Sequence, residues 1–155
     1  LLERALGLPL GATGLPRGRP GPAPGHLRLA VCGAHMSGLP LNHELAGRGA
    51  RFAGSTRTAA RYRLFALAGG PPRRPGLVQV EYDGAAIELE LWDLPLGEVG
   101  AFLAGIPAPL GIGSLQLADG SRAQGFLCES VASVDAEDVT AFGGWRAYLR
   151  AAAGG

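Results

Sequence analysis

The sequence predicts an α+β domain built on a curled or barrel-like mixed sheet with a few short helices. The first observation is a set of roughly six or seven short runs that alternate or cluster apolar residues as strands do. The second is a small number of stretches with helical spacing, and the third is the glycine and proline clusters between them. At 155 residues with 47% hydrophobic content, the chain is long enough for one domain with a sizeable core.

The start of the chain is predicted to precede this domain. Residues 1–8 are expected to form one or two helical turns, and residues 11–25 have the proline- and glycine-rich composition of a linker. We therefore divide the chain into a remnant with a linker, 1–25, and a domain, 26–155. This beginning suggests the tail end of a larger protein, which is a hypothesis.

The predicted elements of the domain follow in chain order. Strands are expected at 27–31, at 77–80, at 86–94, at 113–117 and at 124–129, with one or two more within 51–67. Short helices are expected at 42–49, 95–105 and 142–153.

Three details of these elements are predicted from local patterns. Asn42 is expected to cap its helix, and Asp119-Gly120 is expected to turn a hairpin between the last two strands. In 86–94, apolar residues alternate with glutamates and Trp92, which predicts one buried face and one partly solvated face that carries Glu88 and Glu90. The helix at 95–105 is expected to bury four residues, which are Leu96, Val99, Phe102 and Leu103.

Composition excludes several classes of function. A net charge of +1 argues against nucleic-acid binding and against a polybasic membrane role, and no apolar run approaches the ~20 residues of a membrane span. All 14 basic residues are arginine, so lysine-dependent Schiff-base, phosphate-binding and amidase chemistry is absent from this sequence. Cys32 and Cys128 lie in apolar runs and read as buried thiols in a reducing compartment, which predicts a cytoplasmic protein.

The best candidate site is the turn that follows the first strand. Gly33 and Gly38 bracket this turn, and a glycine-bounded turn at a strand end can point backbone N–H groups at an anion. His35 lies inside it and has an unperturbed pKa near neutrality. The alternative interpretation is that His35 is a structural histidine. No residue spacing resembles a metal site.

Two further segments are candidates for binding. Arg57, Arg61 and Tyr62 lie in an arginine-rich stretch that could hold a carboxylate through a guanidinium fork, or could be a solvated strand edge. Residues 107–113 are apolar and proline-rich, and could wall a pocket or form a packed corner.

Six stretches of the chain carry a resemblance to a known family: VCGAHMSGLPLNHEL (31–45), TRTAARYRLFAL (56–67), IELELWDLP (87–95), IPAPLGIGSLQLADG (106–120), GFLCE (125–129) and TAFGGWRAYL (140–149). Together they resemble the C-terminal domain of allophanate hydrolase, an enzyme of urea degradation, over about 27–149. More distantly, 33–36 resembles the glycine turn of the gamma-glutamylcyclotransferase fold, which implies that fold for the sheet. The helix that carries a catalytic glutamate in those enzymes has no acid here between 101 and 107, which argues against cyclotransferase activity.

The resemblance implies a function and a set of site residues. In the family, an amidase half converts allophanate to N-carboxycarbamate, and the C-terminal domain is assigned the breakdown of that dianion to carbon dioxide and carbamate, with a histidine implicated. His35 would be that histidine. The residues expected to bind the substrate are Gly33, Ala34, Met36, Asn42, Arg57, Arg61, Tyr62, Pro109, Leu110 and Gly111.

The resemblance also implies partners. We expect a small dicarboxylate-like substrate, an amidase domain or subunit, and no metal or other cofactor, nucleic acid or membrane. The alternative is a non-catalytic assembly domain of an allophanate hydrolase complex. A homo-oligomer is compatible with the sequence.

Overall fold

The structure, a computed structural model, describes residues 20–154 and confirms the α+β class. The helical turns expected at 1–8 and most of the expected linker lie outside the described residues. Within the described part, eight strands are joined by three short α-helices and two single-turn 3₁₀ helices, at Ser130–Ser133 and Thr140–Phe142.

The larger of two sheets has five strands. They are β1 (His26–Val31), β2 (Arg51–Arg57), β5 (Glu88–Pro95), β6 (Leu110–Gln116) and β7 (Arg122–Cys128), in the order β2-β5-β1-β7-β6. The pairing of β1 with β7 is parallel, and the other pairings in this sheet are antiparallel. The mixed sheet was therefore predicted correctly.

The two edge strands of this sheet approach each other at one end. Just beyond β2 and β6, Thr58 and Leu117 form an antiparallel bridge, and the Ala59 N–H donates to the Gln116 carbonyl at 2.9 Å. The five strands therefore curl without closing fully. The hairpin between β6 and β7 turns at Gly120, as predicted, where φ is +88°, a conformation that glycine adopts without strain.

The smaller sheet has three strands, β3 (Tyr62–Ala66), β4 (Pro75–Gln79) and β8 (Glu137–Asp138), in the order β4-β3-β8. It packs on the larger sheet where Gly76 of β4 meets Cys128 of β7. A Cβ atom on Gly76 would lie 2.8 Å from the Cys128 sulfur, so the close approach of the two sheets depends on this glycine.

The helices are α1 (His43–Ala46), α2 (Leu96–Ala104) and α3 (Trp145–Gly154). The α1 helix is shorter than predicted, and Asn42 does not cap it with its side chain. The predicted burial of α2 is correct for Phe102 and in part for Val99, which packs half-buried against the core, because this helix lies on the sheet along one narrow stripe. Leu96 and Leu103 remain 58% and 43% exposed.

The prediction for β5 was wrong on its second face. Glu90 and Trp92 are 5% and 7% exposed, although their alternation with leucines indicated a partly solvated face. The turn after β1 and the side chain of Arg146 cover Glu90, and the Phe52 ring packs edge-on against Trp92 at 5.6 Å. This face is therefore buried at Glu90 and Trp92, whereas Glu88 at the start of the strand remains partly exposed.

The core lies between the sheets and under α3. Its largest fully buried side chains include Trp145, Tyr62, Leu64, Leu77, Leu89, Leu91 and Leu115. Both cysteines are buried and unpaired, as predicted, and burial raises the pKa of Cys32 to about 12. Within residues 20–154, no helix is both long and apolar enough to cross a membrane.

Candidate functional site

The turn after β1 is held in shape by its own backbone and by α1. The Met36 N–H donates to the Gly33 carbonyl at 3.0 Å, and the Leu41 N–H donates to the Ala34 carbonyl at 2.8 Å. The Asn42 amide donates from Nδ2 to the His35 carbonyl at 2.8 Å. Asn42 therefore supports the turn from behind, and Gly38 reverses the chain with a φ of +78°.

Fewer backbone donors are available in this turn than the sequence predicted. The N–H groups of Met36 and Ser37 are already used, the second by Glu90. Within the described part of the chain, the N–H groups of Ala34 and His35 donate no hydrogen bond. These two N–H groups therefore remain available as hydrogen-bond donors.

His35 is held on three sides. Its Nε2 lies 2.8 Å from Oε1 of Glu44, its ring stacks on Phe126 with centroids 5.0 Å apart, and Phe102 packs edge-on at 5.4 Å. The side chain is 6% exposed. Burial lowers the pKa of His35 below its ordinary value of 6.5, and the neighbouring Glu44 carboxylate opposes that shift only in part.

A narrow crevice beside His35 opens towards a larger cleft. The crevice has a volume of about 20 Å³, room for one water-sized group, and Ala34, His35, Phe126, Leu110 and Arg74 are among its lining residues. The cleft has a volume of about 320 Å³ and lies between 67–72 and 107–110. Arg74 and Leu110 line both, so the crevice and the cleft adjoin at these two residues.

Arg74 is the basic residue at this junction, and the sequence reasoning missed it. Its guanidinium donates no hydrogen bond to any described residue, whereas neighbouring Arg73 donates to the Leu67 carbonyl and the Tyr148 hydroxyl. The only signal in the sequence is the pair of arginines before Pro75, and nothing local distinguishes the first arginine from the second.

The structure places three predicted binding residues away from this cleft. Arg57 donates to the carbonyls of Ala86 and Gly143, and Arg61 is exposed elsewhere on the surface. Tyr62 is fully buried, with its hydroxyl accepting the Gln116 N–H at 3.0 Å.

Of the remaining predicted residues, some line the cleft, the crevice or a hollow beside them, and one packs in the core. Pro109 and Leu110 line the cleft, and Gly111 lines an adjoining hollow with them. Met36 is fully buried below the turn, so its side chain packs in the core. Gly33 lines the crevice, and a Cβ atom there would lie 2.6 Å from the Pro75 ring.

A buried carboxylate anchors the turn from below. Glu90 accepts hydrogen bonds from the Ser37 N–H and hydroxyl, both at 2.7 Å, from Trp92 at 3.1 Å, and from Arg146 at 3.0 Å. Burial alone would raise the pKa of Glu90, but these donors outweigh it and hold the pKa below its usual value. The expectation that Glu90 is solvated was therefore wrong. Among the described residues, no group of three or more His, Cys, Asp or Glu side chains could hold a metal ion.

Comparisons with known proteins identify the family to which this chain is similar. A family model described as the allophanate hydrolase C-terminal domain matches residues 27–150. The urea amidolyase of Saccharomyces cerevisiae is 42% identical over 127 residues, which are 79% of this chain and 7% of the yeast protein. This chain therefore spans only a small part of the length of that relative.

Solved structures give the same result. An allophanate hydrolase from Kluyveromyces lactis superposes with a TM-score of 0.79 at 38% identity, covering 82% of this chain and 21% of that one. A uropathogenic E. coli-specific protein superposes at 0.74 with 38% identity, covering 80% of this chain and 95% of its own. An aig2-like protein from Mus musculus, 16% identical with a TM-score of 0.51 over 71% of this chain and 80% of its own, shows the fold alone and agrees with the predicted fold class.

Proposed function

The chain belongs to the allophanate hydrolase C-terminal domain family, and from that premise we propose that it breaks down N-carboxycarbamate to carbon dioxide and carbamate. The single observation that carries the proposal is that a buried histidine lies at one crevice with two backbone N–H groups and an arginine that have no hydrogen-bond partner among the described residues. This set suits a small dianion with a nitrogen atom at its centre.

The chemistry assigns each group a task. One carboxylate of the dianion would accept the N–H groups of Ala34 and His35, and Arg74 would hold the other through a charge-assisted fork. When the C–N bond breaks, one carboxyl leaves as carbon dioxide and the electron pair stays on nitrogen. The protonated His35 gives its proton to that nitrogen, which yields carbamate, and the neutral imidazole regains a proton from solvent.

Arg74 replaces Arg57 and Arg61 in this proposal because it borders the crevice. Leu110 and Phe126 would exclude water from one side, which strengthens the interactions of the charged groups. No step uses a metal or another cofactor. The amidase step that makes N-carboxycarbamate is assigned to an upstream domain or a separate subunit, so this chain alone is not expected to release ammonia from allophanate.

The test supplies N-carboxycarbamate in situ from allophanate with a separate amidase and measures carbon dioxide release above the uncatalysed rate. His35→Ala and His35→Asn should each slow the catalysed reaction by about 10²–10⁴-fold, the usual contribution of a general acid or base. His26→Asn is the control, because that imidazole is partly exposed at the start of β1 and, among the described residues, bonds only the Pro24 carbonyl. Near-normal rates for a folded His35→Asn would overturn the proposal.

The arginine is tested in the same assay. Arg74→Ala should raise KM by about 10- to 100-fold, corresponding to the ~1.5–3 kcal/mol of a hydrogen bond to a charged group. Arg61→Ala, which removes an exposed guanidinium remote from the cleft, should leave KM unchanged. Equal effects of the two substitutions would remove Arg74 from the proposed site.

A second candidate function rests on a separate apolar surface. A groove of about 550 Å³ runs between α2 and the sheet, lined mainly by Leu27, Leu29, Leu94, Phe102 and Leu103. Such a surface favours docking against another domain, and the relatives are parts of much longer chains. Under this assembly function, Leu103→Glu would weaken association with the amidase while His35 variants would change nothing.

A further inference from the structure

We propose that Glu44 is a positioning residue that holds the His35 imidazole with a proton on Nε2 and so leaves Nδ1 to serve the reacting nitrogen. The inference rests on the proposed function for the identity of the reacting nitrogen. The hydrogen bond between Glu44 and His35 can be tested without measuring any activity. Glu44 lies in the first turn of α1.

The hydrogen bond itself assigns the proton. An ionised carboxylate only accepts hydrogen bonds, so the 2.8 Å contact between Oε1 of Glu44 and Nε2 of His35 requires Nε2 to be the donor. Within residues 20–154, Nδ1 of His35 has no hydrogen-bond partner. Nδ1 is therefore the ring nitrogen that can exchange a proton with a bound molecule.

The surrounding rings prevent an alternative arrangement. Stacking on Phe126 at 5.0 Å and the edge of Phe102 at 5.4 Å confine the imidazole plane, and the side chain is only 6% exposed. A 180° rotation of the ring about the Cβ–Cγ bond would place a carbon atom, Cε1, near Glu44 and would lose the hydrogen bond from Nε2. The contacts with Phe126 and Phe102 fix the plane of the imidazole, and the hydrogen bond to Glu44 fixes where Nε2 lies in that plane.

Asn42 and Glu44, at the start of α1, hold the backbone and the side chain of His35 respectively. Asn42, which precedes α1, holds the His35 carbonyl at 2.8 Å, while Glu44 holds the ring. Backbone and side chain of the same residue are thus fixed from one short segment. A carboxylate on the ring nitrogen that faces away from the substrate orients functional histidines in other sites as well.

The negative charge of Glu44 also affects the pKa of His35. Burial lowers the pKa of His35, the Glu44 carboxylate opposes that effect, and Arg74 and His43 add to the lowering. Removing the carboxylate should therefore lower the pKa of His35 further. The protonated form needed for the reaction would then be populated only at more acidic pH.

The decisive experiment is NMR of the imidazole nitrogens in the full chain. Above its pKa, His35 should carry its proton on Nε2 in the wild type, and Glu44→Ala should increase the Nδ1-protonated form. Glu44→Gln keeps the size of the side chain and removes the charge, so its His35 should titrate at lower pH. A wild-type proton on Nδ1, or a titration unchanged in Glu44→Gln, would overturn the inference.

Activity provides a second measurement with a matched control. Glu44→Ala should lower kcat by about 10- to 100-fold, by analogy with the loss when the hydrogen-bond partner of a metal-bound histidine is removed, and Glu44→Gln should shift the pH profile to the acid side. Glu98→Gln is the control, because Glu98 also lies in a first helical turn, is 43% exposed against 40% for Glu44, and has one ion-pair partner.

The two proposals fail in different ways. If the NMR result holds but His35→Asn retains its rate, the positioning by Glu44 is real and the proposed function is wrong. If His35→Asn is inactive but Glu44→Gln matches the wild-type pH profile and titration, the proposed function stands and the role of Glu44 is overturned. Should Glu44→Ala unfold, the titration of Glu44→Gln still decides.

Discussion

Replacing Glu90 with alanine tests whether the buried carboxylate holds the turn that carries His35. The side chain of Glu90 is 6% exposed and accepts hydrogen bonds from Ser37, Trp92 and Arg146. Glu90→Ala removes the acceptor from all of these donors at once. The N–H groups of Ser37 and Trp92 would then lack a protein partner, and the Arg146 guanidinium would be left without its anion.

The structure sets the size of the effect. Breaking a buried ion pair by removing one partner costs about 3–5 kcal/mol. Arg146 is 24% exposed and can turn partly to water, so we expect the lower end, about 3 kcal/mol, for Glu90→Ala. Glu90→Gln keeps an acceptor oxygen and loses only the charge, so it should cost about 1–2 kcal/mol.

The assay is urea denaturation followed by tryptophan fluorescence, since Trp145 and Trp92 are both buried. Glu88→Ala, on the same strand, is the matched control and should change stability by less than about 0.5 kcal/mol. A cost for Glu90→Ala below about 1 kcal/mol, or equal to that of Glu88→Ala, would refute the reasoning.

The pH dependence adds an independent check. The pKa of Glu90 is held below its usual value of 4.5 in the folded protein. Its contribution is therefore fully present above that value and is lost as the pH falls through the folded-state pKa. The stability difference between the wild type and Glu90→Gln should shrink over that acid range, and a difference independent of pH would contradict the assignment.

Two other predictions concern the core. Gly125→Ala should destabilise the protein by about 1–3 kcal/mol in thermal melts, because its Cβ would lie 2.5 Å from Leu115, whereas Gly111→Ala, with nothing within 4 Å, should be close to neutral. In a Cys128→Ser background, Cys32 should resist a thiol reagent at mildly alkaline pH until urea unfolds the chain, because burial raises its pKa to about 12; rapid labelling of the folded protein would disprove this.

Much of the fold could be predicted because its signals are local. Alternation located β1 and β5, Asp119-Gly120 located the β6–β7 hairpin, and Gly33 marked the end of β1. Each of these depends on neighbours within a few residues, where backbone sterics and side-chain period act directly. The turn around His35 was found for the same reason.

Burial of polar side chains could not be predicted in this way. Glu90 alternates with leucines as a solvated residue would, yet Ser37 and Arg146, 53 and 56 residues away in the chain, cover it. Alternation indicates that a strand has two different faces. Whether the second face is exposed to solvent depends on whether a distant segment of the chain packs against it. The burial of Tyr62 has the same kind of cause, since its hydroxyl partner lies 54 residues away on β6.

The sequence by itself determined the α+β class, the positions of most strands, the buried thiols and the glycine turn with His35, because these follow from local pattern and backbone geometry. Only the tertiary structure decided that Arg74 borders the crevice and that Glu44 holds the imidazole. Several arginines and glutamates have equivalent local surroundings in the sequence. Which of them reaches the site depends on how the small sheet and α1 pack around the end of β1, and that packing is the sum of long-range contacts.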